Sequence, residues 1–465
     1  MKGGPLESHM MWVRKSLVGF VLIIAWLVQM QPALRGQSAP LSPSEVLTLE
    51  QAIELAVRDN LQVKNASLEV NKVDERLGSL RTERWPSLHL DVFPAEQLRP
   101  IDMILPQGVF GLYPNVGPIP GTNIDFRTPA IPTLTLVGRV SQPLSQLYRI
   151  NLDVGNLKLS REVAQEKLRE KQHQITQDVK QAYFAILQTQ SGQQSASENI
   201  KLYRELDRVT DEYVTHGTAL KADSLDIKVR LAKAEYDALT LADRLAVEEH
   251  QLNQLLGRNV LQEFSLNPAP KETEYEVDLA TARGRALEQR PELREARLRI
   301  REAEGDRRVK KSEFIPDTSI RFQYYALRDF NDIIPKNIAE LGVSVSWEVF
   351  DWGRKKHELN EKDLTIEQSK NDLREAETSI QIEVDDKFRK LQRTRQLLRV
   401  AQLSQQASLE NVRLMTERYQ VQASLLKDVL QAQTALEQAN DQYQQALLSL
   451  WMAKAEFEKA IGDDK

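Results

Sequence analysis

The chain has 465 residues, of which 28% are charged and 41% hydrophobic, and a formal net charge of −5. That composition suits a folded or coiled-coil protein and lacks the basic stripe that nucleic acid would require, so a nucleic-acid partner is excluded. It has no cysteine, which excludes disulfides, thiol chemistry and a lipid-modified cysteine behind an export signal.

At the amino terminus, Arg14 and Lys15 precede the apolar run Leu17 to Val28, with small residues near Gly36 to Ala39. A positive end, a short apolar core and a small-residue exit describe a signal peptide, so residues 1–37 are assigned as signal and leader. The run is too short to span a bilayer, which needs about 20 residues.

The rest is written twice. At an offset of 230, Leu49, Ala52, Ala56 and Pro86 meet Leu279, Ala282, Ala286 and Pro316. At an offset of 205, Val140 to Leu144 meets Val345 to Val349, and His216 to Leu225 meets Val421 to Leu430. Such internal duplication sets the architecture of the whole chain. The first repeat, residues 38–263, is expected to run as a helix over 47–84, strands over 86–93 and 133–144, and long helices over 146–216 and 222–257. Between the strands, the proline- and glycine-rich segment 94–132 reads as an irregular exposed loop. A linker over 264–277 leads to the second repeat, 278–465. There a helix is expected over 278–313, strands over 317–326 and 338–350, and long helices over 353–421 and 424–461.

Two features give the expected elements their physical meaning. No proline falls between Leu144 and Asn267, or after Lys336, and these blocks are rich in helix formers. A helix of about 60 residues is roughly 90 Å long and must pack beside others as a coiled coil. The rhythm of Tyr203, Leu206, Val209 and Tyr213 returns as Leu409, Val412, Met415 and Tyr419. Each rhythm stops at a short break, which makes each pair of long helices a hairpin with its tip near Gly217 or Gln422. In the strands, Leu88, Leu90 and Val92, and later Leu341, Val343 and Val345, alternate with polar residues. One apolar and one polar face is the pattern of a transmembrane barrel strand. Four strands cannot close a barrel, since the smallest use about eight, and open edges in lipid are costly. Several chains must therefore pool their strands.

Taken in order, Leu47 to Asn60, Trp85 to Leu90, Gly217 to Glu235, Val345 to Glu358 and Arg418 to Ala439 resemble the TolC family of outer-membrane efflux proteins. The resemblance covers residues 47–461. It implies a mainly α fold with a β-barrel part, in which three copies pool four strands each into a 12-stranded barrel in outer membrane lipid. It also implies a periplasmic helical tunnel, a periplasmic adaptor (membrane fusion) protein, and an inner-membrane pump of RND or ABC type. Carried over position by position, it makes Asp223, Asp428 and Tyr419 candidates for a pore gate. Gly217, Thr218, Ala219, Gln422, Ala423 and Ser424 become candidates for the adaptor-docking tips. The chain departs from the family at Gln431, where some members have an acid, at Ser424, where an arginine partner is found, and at Gln422, a common glycine. Capping is the competing role for both aspartates, and coiled-coil packing for Tyr419.

No Walker A loop, GxSxG elbow or HExxH motif is present, the six histidines are scattered, and neither an enzyme nor a cofactor is expected. The reading is a passive exit duct of a tripartite efflux or type I secretion system, in the outer membrane of a Gram-negative-type cell. Its alternative is a periplasmic coiled-coil scaffold or adaptor without a pore.

Overall fold

The computed structural model describes residues 46–96, 98–128, 132–217, 220–267, 278–328, 335–421 and 423–463. The signal and leader of residues 1–37 and most of the linker, 268–277, lie outside the described residues. Residues Val46–Lys465 form one unit.

The first repeat begins with β1 (Val46–Leu47), followed by α1 (Leu49–Asp59) and α2 (Leu61–Thr82). Its strands are β2 (Ser87–Glu96) and β7 (Pro132–Pro143), and its long helices are α3 (Gln146–Thr215) and α4 (Lys221–Leu255). The short β8 (Ser265–Leu266) pairs in parallel with β1. The second repeat has α5 (Leu279–Gln289), α6 (Pro291–Ser312), β9 (Asp317–Arg328), β10 (Asn337–Ser346), α7 (Arg354–Gln420) and α8 (Leu426–Ile461). With 70 residues, α3 is about 105 Å long.

Two findings differ from the expected element pattern. The helix expected over 47–84 is broken at Asn60, and the one over 278–313 at Arg290. Asn60 closes α1 and caps α2, its side-chain oxygen accepting from the amides of Gln62 and Val63. Arg290 precedes Pro291, and proline disfavours helical backbone in the residue before it. The segment between β2 and β7 is also more ordered than its prolines suggest. It contains two nested hairpins, β3 (Ile101–Leu105) with β6 (Ile124–Thr128), and β4 (Leu112–Tyr113) with β5 (Gly117–Pro118).

The four longer strands form one antiparallel sheet in the order β10-β9-β7-β2. Its register lines up the alternation of all four. Leu88 lies opposite Val140, Val140 opposite Phe322, and Phe322 opposite Leu341. The next row, on the other face, is His89, Arg139, Gln323 and Glu340, with Arg139 bonded to Asp91 at 2.7 Å. In these rows one face is apolar and the other polar; the following row on the second face, Asp91, Val137, Tyr325 and Ile338, is mixed.

Below the sheet the helices also stand in a row. Next to the strands the order is α2-α3-α6-α7, and further down it is α4-α3-α8-α7. The helices that flank each row carry exposed apolar residues, Val229, Tyr236 and Leu239 on α4 and Ile382, Leu397 and Val400 on α7. Buried side chains lie where the long helices meet the broken ones, α3 against α1 and α7 with α8 against α5. One core gathers Ala52, Ala56, Ile175, Tyr183, Phe184 and Trp451, and its counterpart Ala282, Ala286, Leu293, Val384 and Phe457. At the same level the two breaks do one job with different side chains. Asn60 Nδ2 donates to the Leu255 carbonyl at 2.8 Å, and Arg290 Nη1 donates to that of Ala460 at 3.2 Å. Leu255 and Ala460 are themselves related by the offset of 205.

Candidate functional site at the hairpin tips

The tips are the far ends of the two helical hairpins, and each is built by the same local chemistry. Asp223 Oδ2 accepts from the Leu220 amide at 3.2 Å, and Asp428 Oδ2 from the Leu425 amide at 3.1 Å. Each is an N-terminal capping contact for the returning helix, where a carboxylate also meets the positive end of the dipole. About two turns back on the descending helices, Arg208 bonds Glu205 and Glu212, and Arg413 bonds Glu410 and Glu417. All these pairs repeat at the offset of 205. Gly217 ends the first descending helix with φ +71°. At the second tip, the Ala423 amide donates to the Arg418 carbonyl at 2.8 Å and the Ser424 hydroxyl to the Met415 carbonyl at 3.2 Å. Thr218, Ala219 and Gln422 lie outside the described residues.

Tyr419 meets the first repeat directly. Its ring lies edge-on to Tyr213 with centroids 6.2 Å apart. Burial, with Tyr213 and Asp223 nearby, pushes its phenol above the usual tyrosine range. The structure thus gathers Tyr213, Tyr419 and the Asp223 carboxylate at one end of the bundle. Asp428 is exposed, with its carboxylate committed to its cap.

Sequence reading missed the contacts that join the two hairpins above the tips. Buried Tyr203 donates to Glu437 Oε1 at 2.8 Å, Gln433 Nε2 to Asn199 Oδ1 at 3.1 Å, and Arg230 Nη1 to Thr434 at 3.3 Å. Tyr203, Leu206, Ile227 and Leu430 form the small apolar core beneath them. Beside these links an open groove runs between α4 and α8, with Asp223, Asp226 and Arg230 on one wall and Lys427, Gln431 and Thr434 on the other. Only the polar residues inside otherwise apolar helical stripes hinted at these links; their partners lie more than 200 residues away. Among the described residues no group of acidic or histidine side chains could hold a metal ion, and no helix is long and apolar enough to cross a membrane.

Comparison with known proteins agrees with this geometry. Residues 282–463 match the family model described as outer membrane efflux protein. No curated protein matches the chain. Among solved structures, the outer membrane protein VceC of Vibrio cholerae is 14% identical, with TM-score 0.70 over 89% of this chain and 96% of its own. The CmeC outer membrane channel of Campylobacter jejuni is 14% identical, with TM-score 0.73 over 89% of this chain and 85% of its own. The open state of the MtrE outer membrane channel of Neisseria gonorrhoeae is 16% identical, with TM-score 0.68 over 94% and 96%. The chain therefore has the TolC-like fold of the outer-membrane channels, and its second repeat matches the outer membrane efflux protein family.

Proposed function

We propose that the chain is a passive outer-membrane exit duct, built from three copies and opened from the periplasm by an adaptor protein that engages the hairpin tips. The observation that carries this reading is the coincidence of open edges. The sheet ends in unpaired β2 and β10. On the same two flanks the helical rows end in α2 and α4 on one side and α7 on the other. A sheet with an apolar outer face cannot leave two edges unpaired in lipid, because each unsatisfied backbone group there costs several kcal/mol. Pairing β2 with β10 of a neighbouring copy satisfies both edges and brings α4 against the neighbour's α7. Three copies of four strands give a barrel of twelve, within the size range of such barrels. The polar face then lines a water-filled lumen and the apolar face meets lipid. A scaffold or adaptor without a pore has no use for that apolar face.

In this reading transport is driven by a partner, an inner-membrane pump of RND or ABC type. The tip residues support the rest of the reading. Asp223, Asp428 and Tyr419 form a constriction, and the neighbouring tip residues Gly217, Thr218, Ala219, Gln422, Ala423 and Ser424 receive the adaptor. Three copies of Asp428 would make a carboxylate ring, which favours cations.

Single-channel conductance of the mature protein in a planar bilayer tests both levels. Asp428→Asn retains a side-chain oxygen for the Leu425 amide but removes the charge. Steady conductance whose cation preference falls several-fold in the variant is expected. Unchanged selectivity would return Asp428 to a capping role alone, and failure of a folded oligomer to conduct would sink the duct.

A further inference from the structure

Helix α6 carries its charges unevenly. Arg294, Arg297, Arg301, Glu304, Arg308 and Lys311 follow one another at intervals of three and four residues, so they form one stripe along the helix. At the offset of 230, the same places in α2 hold Lys64, Ser67, Asn71, Asp74, Gly78 and Arg81. Only one of the two repeats has the basic stripe, so the fold itself does not require it. The two lower arginines are used structurally, donating to the Glu288 and Leu287 carbonyls at the end of α5. Arg301, Arg308 and Lys311 are exposed, and among the described residues none of the three forms an ion pair. Acids on the adjoining helix α7 are already matched, Asp363 with Arg307 and Glu367 with Lys370.

The stripe faces away from the lumen. On one side α6 meets α3, Glu302 accepting from Ser160 and Asp306 from Asn156. On the other it meets α7, where Arg307 and Lys310 bond Asp363 and Glu358. At 100° per residue the shorter arc between these two contact lines centres on Arg299, and the stripe lies on the longer arc opposite. Helices closed into a ring turn the shorter arc inward, so the stripe points outward. Because α6 stands inside the row and not at its end, a neighbouring copy leaves the stripe uncovered. Its height decides what reaches it. Arg301 lies about 16 Å below Ser312, the last residue of α6 before the sheet. The headgroup layer is only about 5–8 Å deep on each side of a bilayer, so lipid does not extend to Arg301. The hairpin tips are about 80 Å away, measured along α3 from Ser160 to Thr215, so an adaptor engaged there does not cover the stripe either.

We infer that the stripe of Arg301, Arg308 and Lys311 binds the free carboxylates of cell-wall peptidoglycan where the helical tube passes through that polymer. This rests on the duct reading above, which puts the helices in the periplasm. Guanidinium groups pair with carboxylates through two parallel hydrogen bonds, which an ammonium does not reproduce. A single exposed pair is weak. Three copies present three stripes around one tube, and retention comes from their acting together on one polymer.

The test sediments the mature oligomer, in mild detergent and low salt, with insoluble peptidoglycan sacculi that protease has stripped of protein. Wild type should pellet with the sacculi and be released by high salt. Arg301→Glu combined with Arg308→Glu should lower the bound fraction about ten-fold. Lys201→Glu, exposed far down α3, should leave it unchanged. Where charge reversal disturbs assembly, Arg301→Gln with Arg308→Gln gives the same reading. Amidating the carboxylates of the sacculi should abolish wild-type binding. Failure of wild type to pellet, equal pelleting of the stripe variants, or equal retention by amidated sacculi would each overturn the inference. Pelleting that is seen only with unstripped sacculi would also overturn it, because the partner is then an acidic protein. Conductance from the same preparations separates the two readings: channels that conduct without retention by the wall polymer leave the duct standing and remove the stripe's role.

Discussion

Tyr203 and Tyr183 are the two phenols most deeply committed to the fold. Burial, with Glu437 accepting the hydrogen bond in the first case, pushes Tyr203 up to about 12. Burial also pushes Tyr183 up to about 12. In both, the neutral form is favoured by folding. The stability they contribute is fully present below the unfolded tyrosine value of about 10 and is lost as pH rises through the folded value. The expected alkaline loss therefore lies between pH 10 and 12. Tyr203→Phe removes the bond to Glu437 at a cost of about 1–2 kcal/mol near neutral pH and should flatten the decline over that window. Melting midpoints measured from pH 8 to 12 decide this, and parallel curves for the two proteins would refute it. Tyr203 belongs to an apolar rhythm that the sequence displays openly. Its acceptor does not, because Glu437 is one of many acids on amphipathic helices and only the packing of α3 on α8 selects it.

At the level of elements, the repeats are most alike where a helix end meets a helix break. Gly257 follows α4 with φ +67°, and a Cβ built there would lie 2.3 Å from the Asp59 carbonyl oxygen. Gly462 follows α8 with φ +76°, and a Cβ there would lie 3.1 Å from the Gln289 side chain. Both glycines are needed for conformation and both face backbone. A Cβ at Gly462 stays 3.3 Å from the Arg290 amide nitrogen, whereas one at Gly257 overlaps the Asp59 carbonyl and forces a shift. Gly257→Ala should cost at least about 2 kcal/mol, combining left-handed strain with a forced shift of α1. Gly462→Ala should cost about 1 kcal/mol, chiefly the strain, with a small adjustment at Gln289. Equal melting losses in the two variants would contradict this account. The offset of 205 between these glycines was legible in the sequence, as were the duplication, the strand alternation and the long proline-free helices. The breaks at Asn60 and Arg290 were less so, since the apolar period runs on through them; Pro291 was the one local sign. In the segment after β2, the prolines dominated the reading. The strands Ile101–Leu105 and Ile124–Thr128 form there because they pair with each other, a contact that no local pattern announces.

At the scale of the molecule, the chain leaves the same two flanks open from one end to the other, β2, α2 and α4 on one side and β10 and α7 on the other. Exposed apolar side chains recur there at helical spacing, Val229, Tyr236 and Leu239 on α4 and Leu397, Val400 and Leu403 on α7. Scattered exposed leucines need no explanation, but stripes confined to the two flanking helices do, and contact with a neighbouring copy supplies one. Each such residue buried in a neighbour's groove is worth about 1.5–3 kcal/mol, and three equivalent seams multiply the effect of one substitution. Leu239→Glu or Val400→Glu should therefore dissociate the oligomer into monomers in mild detergent. Asp237→Lys, exposed on the same helix as Leu239 but turned about 100° round the axis from Tyr236, should leave it intact. Light scattering of the purified proteins reads the outcome. If both stripe variants stay trimeric, the seam does not run along α4 and α7, and the pooling of strands must be held by β2 and β10 alone.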